Sequence, residues 1–249
     1  MNEFVDLIEK YFDPNHKKPV SYFFEQVFEN VEQASQLLDK YGIHTIEPIK
    51  YGRQNYGGFI SDKLVLKVDM HSLINDDLLI KGIQHSYAEG ANIGNIFKVI
   101  KKEKRYYVFE SKVIGEDINL YAASHNERDI DCGFINATDE QIIKLIKDFK
   151  ILNKNKVLFE YVGDNMKYDS ELGFGMFDFE RIKSEPNDFY SIYNLKKEQL
   201  LKSIELGRAD ISRDQAEDFM QRIRSLYHKY KTKTIGEINA ELCLLSSTY

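Results

Sequence analysis

The sequence predicts an α+β protein in which a strand-rich part is followed by a helix-rich part. In residues 46–114, short runs of β-branched and apolar residues such as KLVLKVD alternate with Gly and Asp turn residues. Beyond Gly115, apolar residues recur every three or four positions, most regularly in EQIIKLIKDFKIL. The same helical spacing before residue 45 predicts an N-terminal helical extension. The predicted domains are therefore 1–45 (helical extension), 46–114 (strand-rich lobe) and 115–249 (helical lobe).

The strand-rich lobe is predicted element by element from its periodicity. Three short strands, IEPIKYG, GGFISD and KLVLKVD, are separated by turns that contain Gly52, Gly57, Gly58 and Asp62. A helix follows up to about Ala88, and IFKVIKK and RYYVFES then form a strand pair. Farther along, VLFEYVGDNMKYDSELGFGMFDFE predicts a hairpin of two short strands. Amphipathic helices complete the chain, one of them with Ser212 as its expected N-cap.

Composition excludes several classes of function. The chain has 249 residues and a net charge of -6, so no basic surface indicates a nucleic acid partner. The one dense cationic run, KVIKKEKR, is interpreted as a solvated hairpin tip. Two widely separated cysteines, Cys132 and Cys243, predict a reducing compartment without a disulfide framework. No Sec signal and no membrane span is recognised, so a cytoplasmic location is expected, and export by a dedicated machine stays open.

A carboxylate, an Asn and an Asp are spaced characteristically around the predicted hairpin. Glu160 lies five residues before Asn165, and Asp178 lies thirteen residues after it. This spacing resembles the catalytic centre of a protein kinase. The resemblance implies that ATP is a substrate, that Asn165 and Asp178 hold Mg²⁺, and that Glu160 faces the acceptor hydroxyl. A surface hairpin rich in turn-forming residues explains the same segment without function and stays open as an alternative.

The strand-rich lobe supplies a second group of matches to the same family. Lys67 is the lysine of the V-L-K sequence in an apolar strand. At this position the resemblance implies a catalytic lysine that binds the ATP phosphates. Gly52, Gly57 and Gly58 would allow the backbone to lie close to the triphosphate, although hairpin turns explain them equally well. Glu89 is the expected acidic partner of Lys67. The run from Glu110 to Val113 would line the adenine edge as the hinge between lobes.

The kinase resemblance covers about residues 46–190. Within the kinases, it is closest to one group of small bacterial proteins. The phrases GDNMKYDSELGFGMFDFERI and NDFYSIYNL are similar to the same region of small bacterial effector kinases delivered by type III secretion. Those kinases dispense with the activation segment. No A-P-E follows Asp178 here, which implies that phosphorylation of an activation loop is not the switch.

Departures from the kinase pattern keep alternative functions open. Leu158, Phe159 and Glu160 stand where kinases have H-R-D, so the bracing His and Arg are absent. The resemblance implies a Ser/Thr kinase that acts on a protein substrate and takes ATP and Mg²⁺. The alternatives are a pseudokinase that binds a host protein partner, a kinase-fold nucleotidyl transferase and a small-molecule kinase.

Overall fold

The computed structural model describes residues 46–48, 57–61, 64–69, 77–102, 105–158, 165–177, 179, 181–182 and 189–246. The helical extension expected for residues 1–45 lies outside these ranges, as do Gly52, Glu160 and Asp178. The described ranges contain six α-helices and three antiparallel sheets, which confirms the α+β prediction.

The strands and helices are numbered in chain order. The strands are β1 (Ile46–Pro48), β2 (Gly57–Ser61), β3 (Leu64–Asp69), β4 (Ile96–Lys102), β5 (Arg105–Ser111), β6 (Glu116–Asp117), β7 (Val157–Leu158), β8 (Met166–Asp169), β9 (Gly173–Met176) and β10 (Arg181–Ile182). The helices are α1 (Asp77–Ala88), α2 (Leu120–Ser124), α3 (Asp139–Lys154), α4 (Phe189–Glu205), α5 (Arg213–Tyr230) and α6 (Ile235–Ser246), with a short 3₁₀ helix at Gly133–Asn136.

The chain divides into two compact units. The first comprises the described residues of Met1–Asp77 together with Asn95–Lys112. The second comprises Leu78–Gly94 and the described residues of Val113–Tyr249. Helix α1 and the loop after it therefore belong with the helical unit, although they fall inside the range 46–114 predicted for the strand-rich lobe.

The first unit is built on a five-stranded antiparallel sheet in the order β1-β2-β3-β5-β4. Strands β4 and β5 coincide with the predicted segments IFKVIKK and RYYVFES, so this part of the prediction is confirmed. Along β3, Leu64 and Leu66 are buried whereas Val65 and Lys67 are partly exposed, as the two-residue period of a strand requires. Because β3 lies between β2 and β5, both of its edges are hydrogen-bonded.

Helix α3 is the centre of the second unit. It packs against β9, α5 and α6, and it confirms the predicted amphipathic segment EQIIKLIKDFKIL. Its start is fixed by a capping box in which the Thr138 hydroxyl accepts from the Gln141 amide and the Gln141 side chain accepts from the Thr138 amide. Apolar side chains such as Ile142 and Ile151 are fully buried. Their burial, rather than helix propensity, provides most of the stability of this helix.

Helix α1 approaches the end of α3 closely because Gly82 lacks a side chain. A Cβ at Gly82 would lie 2.9 Å from the carbonyl oxygen of Asn155 and 2.9 Å from Cγ2 of Val157. Leu79 and Ile83, on either side of Gly82, have no exposed surface. This contact explains why α1 belongs to the second unit.

The predicted hairpin is present as β8 and β9, which pair antiparallel from Met166↔Met176 to Asp169↔Gly173. The Asp169 carboxylate accepts hydrogen bonds from the amides of Glu171 and Leu172 in the turn. Gly173 then has a φ of +83°, a conformation that L side chains rarely adopt.

Helices α4, α5 and α6 confirm the amphipathic helices predicted for the C-terminal part. Ser212 is the N-cap of α5, as predicted, and it forms a capping box with Gln215. No helix in the described ranges combines the length and apolar character needed to span a membrane.

Candidate functional site

Lys67 forms a shielded ion pair in the five-stranded sheet. Its Nζ lies 2.9 Å from Oε2 of Glu110, and the exposed fractions of the two side chains are 17% and 8%. The register explains the contact: Lys67 lies opposite Val108 of β5, so Glu110, two residues farther along β5, is its diagonal neighbour on the same face. The sheet itself therefore brings this cation and this anion together.

Two glycines of β2 lie next to this pair in the sheet. Gly58 lies directly opposite Lys67, and Gly57 lies opposite Val68. Both glycines belong to strand β2 instead of the turns in which they were expected. Directly opposed residues share a face of the sheet, so the position next to Lys67 on β2 carries no side chain. A strand glycine of this kind is typical of a place where a ligand approaches the backbone closely.

Glu89 forms a different ion pair from the one expected. Its Oε1 lies 2.8 Å from Nζ of Lys154, at the end of α3. Lys67 and Glu89 thus each have an ion-pair partner within their own unit, Glu110 and Lys154, and the expected Lys67–Glu89 pair stays a prediction. Glu89 directly follows α1, the helix that Gly82 fits against the Asn155–Val157 segment, and this places it beside Lys154 at the end of α3.

The expected hinge spans the boundary between the two units. Glu110 is 6% exposed and lies in β5, whereas Val113 begins the second unit and is 7% exposed. Val113 packs tightly there, because a Cβ on Gly175 would lie 2.3 Å from its Cγ1. The role of Glu110 and Val113 at an adenine edge stays a prediction.

Asn165 lies at the base of the β8–β9 hairpin. Its carbonyl oxygen accepts a hydrogen bond of 3.0 Å from the amide of Phe177, the residue immediately before Asp178. The structure thus joins the backbone of the expected metal ligand Asn165 to the segment that leads into Asp178. Glu160 and Asp178 themselves lie outside the described residues, so their roles stay predictions.

The composition of the expected metal site suits Mg²⁺, since an Asn amide and an Asp carboxylate supply the hard oxygen ligands that this ion prefers. Among the described residues, no group of three His, Cys, Asp or Glu side chains could hold a metal ion. The Mg²⁺ assignment therefore depends on the pairing of Asn165 with Asp178.

A buried carboxylate that sequence analysis missed lies on helix α3. Asp148 of α3 is 2% exposed, and desolvation raises its pKa from 3.8 to about 7. Its Oδ2 accepts a hydrogen bond of 3.2 Å from the amide of Asn92. The sequence does carry a signal for it, because Asp148 lies three residues after Leu145 and four before Leu152, on the apolar face of α3.

The second unit also contains a cavity of about 260 Å³. It is lined by Gly115, Glu116, Ile118, Asp131, Gly133, Phe134, Tyr168, Asp169 and Ser170. Two of the carboxylates, those of Asp131 and Asp169, accept hydrogen bonds from nearby backbone amides. None of the residues predicted for ATP or Mg²⁺ binding lines this cavity.

No protein-family model matches this chain, and no curated protein matches it in sequence. Among solved structures, the chain is similar to the kinase PK-1 of Cydia pomonella granulovirus, with 16% sequence identity and a TM-score of 0.40. The similarity covers 65% of this chain and 62% of the viral kinase. The chain thus matches somewhat less than two thirds of that protein's length.

Proposed function

We propose that this chain has a kinase-like fold and is an ATP- and Mg²⁺-dependent phosphotransferase that acts on a Ser or Thr hydroxyl of a protein. The observation that carries the proposal is the shielded Lys67–Glu110 pair on the central strand β3. Kinases bind the ATP phosphates with a lysine on their third strand. The order of elements, in which α1 separates β3 from β4 and a helical unit follows, also supports the proposal.

Stability alone does not account for an ion pair at this position. Two charges taken out of water lose hydration, and a well-packed apolar pair is often as stable or more so. Lys67 is instead suited to bind a polyanionic ligand, because Glu110 holds it in place and the residue opposite it on β2, Gly58, has no side chain. In this proposal Glu110 on β5 orients Lys67, a task that kinases assign to a glutamate on the helix after the third strand.

Asn165, Asp178 and Glu160 would supply the remaining groups. Asn165 and Asp178 would hold Mg²⁺, which would neutralise charge on the phosphates. Glu160 would orient the acceptor hydroxyl in line with the γ-phosphoryl group and accept its proton. Its side chain is one methylene longer than that of the usual Asp, which displaces the carboxylate by about 1 Å, and such a displacement can cost about 100-fold in rate. A slow enzyme is therefore expected.

The test is ATP affinity measured by isothermal titration calorimetry in variants of the Lys67–Glu110 pair. Lys67→Met and Glu110→Gln are each expected to weaken ATP binding by about tenfold or more, equivalent to about 1.4 kcal/mol. The matched controls are Lys144→Met and Glu140→Gln, which break an ion pair of 2.7 Å in helix α3 and are expected to leave ATP affinity unchanged.

A double variant separates ligand binding from folding. Lys67→Met with Glu110→Leu replaces both charges by apolar groups and is expected to fold normally, because no unpaired charge is buried. It should nevertheless bind ATP as weakly as Lys67→Met alone. Wild-type ATP affinity in the double variant would contradict the role of Lys67, and a wild-type chain that does not bind ATP would contradict the whole proposal.

The proposal extends to a bacterial effector kinase that acts in a host cell. Support for this finer assignment comes from the phrases GDNMKYDSELGFGMFDFERI and NDFYSIYNL. The test is phosphate transfer from labelled ATP into a eukaryotic lysate and, in parallel, into a bacterial lysate. Discrete labelled proteins are expected in the eukaryotic lysate, and labelling confined to the bacterial lysate would contradict the assignment.

The second candidate function is a pseudokinase that binds a protein partner. The observation that favours it is the sequence Leu158-Phe159-Glu160 in place of H-R-D. This candidate predicts a folded chain that captures its partner without transferring phosphate. Glu160→Ala distinguishes the two functions, since it would abolish phosphate transfer by a kinase but leave capture of a partner by a pseudokinase unchanged.

A further inference from the structure

The loop between α1 and β4 forms an additional edge beside strand β9. Ile93 makes a parallel bridge with Met176. The Met176 amide donates to the carbonyl oxygen of Asn92 at 3.0 Å, and the Gly94 amide donates to the carbonyl oxygen of Met176 at 2.8 Å. The Asn92 side chain adds a bond of 2.8 Å to the carbonyl oxygen of Phe174. Residues 92–94 therefore hold the last half of β9.

The backbone that leads into Asp178 is thus held from two sides. On one side, residues 92–94 bind Phe174 and Met176. On the other side, β8 pairs with β9, and the carbonyl oxygen of Asn165 accepts from the Phe177 amide. The side formed by β8 is an ordinary hairpin, whereas the side formed by residues 92–94 comes from a distant part of the chain and is itself hydrogen-bonded to helix α3.

Asp148 of α3 supplies this hydrogen bond. Its Oδ2 accepts from the Asn92 amide, and its Oδ1 has no hydrogen-bond partner among the described residues. A buried carboxylate costs free energy, and an apolar residue at this position of α3 would avoid the cost. An apolar side chain, however, could not accept the hydrogen bond that the Asn92 amide donates to Asp148.

We propose that Asp148 is a positioning residue for the end of β9, two residues before Asp178: by accepting from the Asn92 amide it fixes residues 92–94 against Met176. The inference rests on the proposed function, in which Asp178 holds Mg²⁺. Asp148 would act through two hydrogen-bonded links, from its carboxylate to residue 92 and from residues 92–94 to Met176.

The first test measures amide hydrogen exchange by NMR in the full chain without ligand. Asp148→Leu removes the acceptor and is expected to raise the exchange rates of the Asn92, Gly94 and Met176 amides roughly three- to tenfold, the effect of one hydrogen bond. Amides of β5, in the first unit, should keep wild-type rates. Glu140→Leu is the matched control, because it removes a partly exposed carboxylate of the same helix that does not bind the Asn92 amide.

Asp148→Asn tests whether the role of Asp148 depends on its hydrogen-bond acceptor or on its negative charge. Its side-chain oxygen can still accept from the Asn92 amide, so wild-type exchange rates are expected in residues 92–94 and in Met176. Rates as fast as those of Asp148→Leu would overturn the inference, as would wild-type rates in Asp148→Leu. If Asp148→Leu does not fold, Asp148→Ala decides, since it also removes the acceptor of the Asn92 amide: faster exchange at Met176 is expected, and an unchanged rate overturns the inference.

The second test measures Mn²⁺ binding to the ATP-loaded chain by electron paramagnetic resonance. Asp148→Leu is expected to weaken Mn²⁺ binding roughly three- to tenfold. Asp148→Asn is expected to bind Mn²⁺ as tightly as wild type. The affinity for ATP without metal should be the same as wild type in both variants. Unchanged Mn²⁺ affinity in Asp148→Leu would overturn the inference. A wild-type chain that binds no Mn²⁺ overturns the proposed function instead, and the exchange rates then still decide whether Asp148 orders β9.

Discussion

The buried carboxylate of Asp148 makes a quantitative prediction about stability and pH. Its pKa is about 7 in the folded chain and is taken as its ordinary value of 3.8 in the unfolded chain. A difference of about 3 pKa units corresponds to about 4 kcal/mol. Because the folded state binds this proton more tightly, the stabilising contribution is complete below about pH 4 and is lost as the pH rises through 7.

The substitution that tests this is Asp148→Asn, which has nearly the same shape and no titratable group. Wild-type stability should fall by about 3 kcal/mol between pH 5 and pH 8 on account of Asp148, and the variant should lack this component. At pH 8 the variant avoids the cost of the buried charge but leaves an amide N–H₂ unsatisfied, at roughly 1–3 kcal/mol. The two effects leave it more stable than wild type at pH 8 by roughly 1–3 kcal/mol.

The assay is urea unfolding of both proteins at pH 5 and pH 8, with the free energy of unfolding taken from each transition. The quantity compared is the stability difference between variant and wild type, since all other titrating groups are common to both. A stability difference that is the same at both pH values would refute the reasoning, because it would mean that Asp148 has the same pKa in the folded and unfolded states.

Two further predictions concern local structure. Gly82→Ala should destabilise the chain by about 1–3 kcal/mol in thermal unfolding, because its Cβ would lie 2.9 Å from Asn155 O and Val157 Cγ2. Gly236→Ala is the control and should not destabilise, since its nearest neighbour would be 4.0 Å away; equal effects of the two substitutions would contradict the steric account. Ser212→Ala should cost about 1 kcal/mol through loss of the α5 N-cap, whereas Ser212→Asp keeps an acceptor; equal losses in both would argue against capping.

Much of the fold could be predicted because the local signals agree with the tertiary structure. Strand β5 and helix α3 are present as predicted, since each has a clear period and each buries its apolar face. The Ser212 cap was recognisable because capping depends on residues three apart in sequence.

The site was harder to predict because its contacts depend on register and packing. The partner of Lys67 was expected after α1, whereas the strand order places β5 beside β3 and brings Glu110 to Lys67. Glu110 is 43 residues from Lys67, and only the register of β3 and β5 makes the two diagonal neighbours. Asp148 was missed for a similar reason, because its partner is a backbone amide 56 residues away.

The most direct test of the central claim is incubation of the purified chain and a eukaryotic lysate with Mg²⁺ and either γ-labelled or α-labelled ATP. The account predicts transfer of the γ label to protein, its loss in Asp178→Ala and Glu160→Ala, and no transfer of the α label. Transfer of the α label would contradict phosphotransfer and indicate nucleotidyl transfer. Absence of both labels from protein, with the chain folded, would contradict the kinase proposal and favour a binding protein.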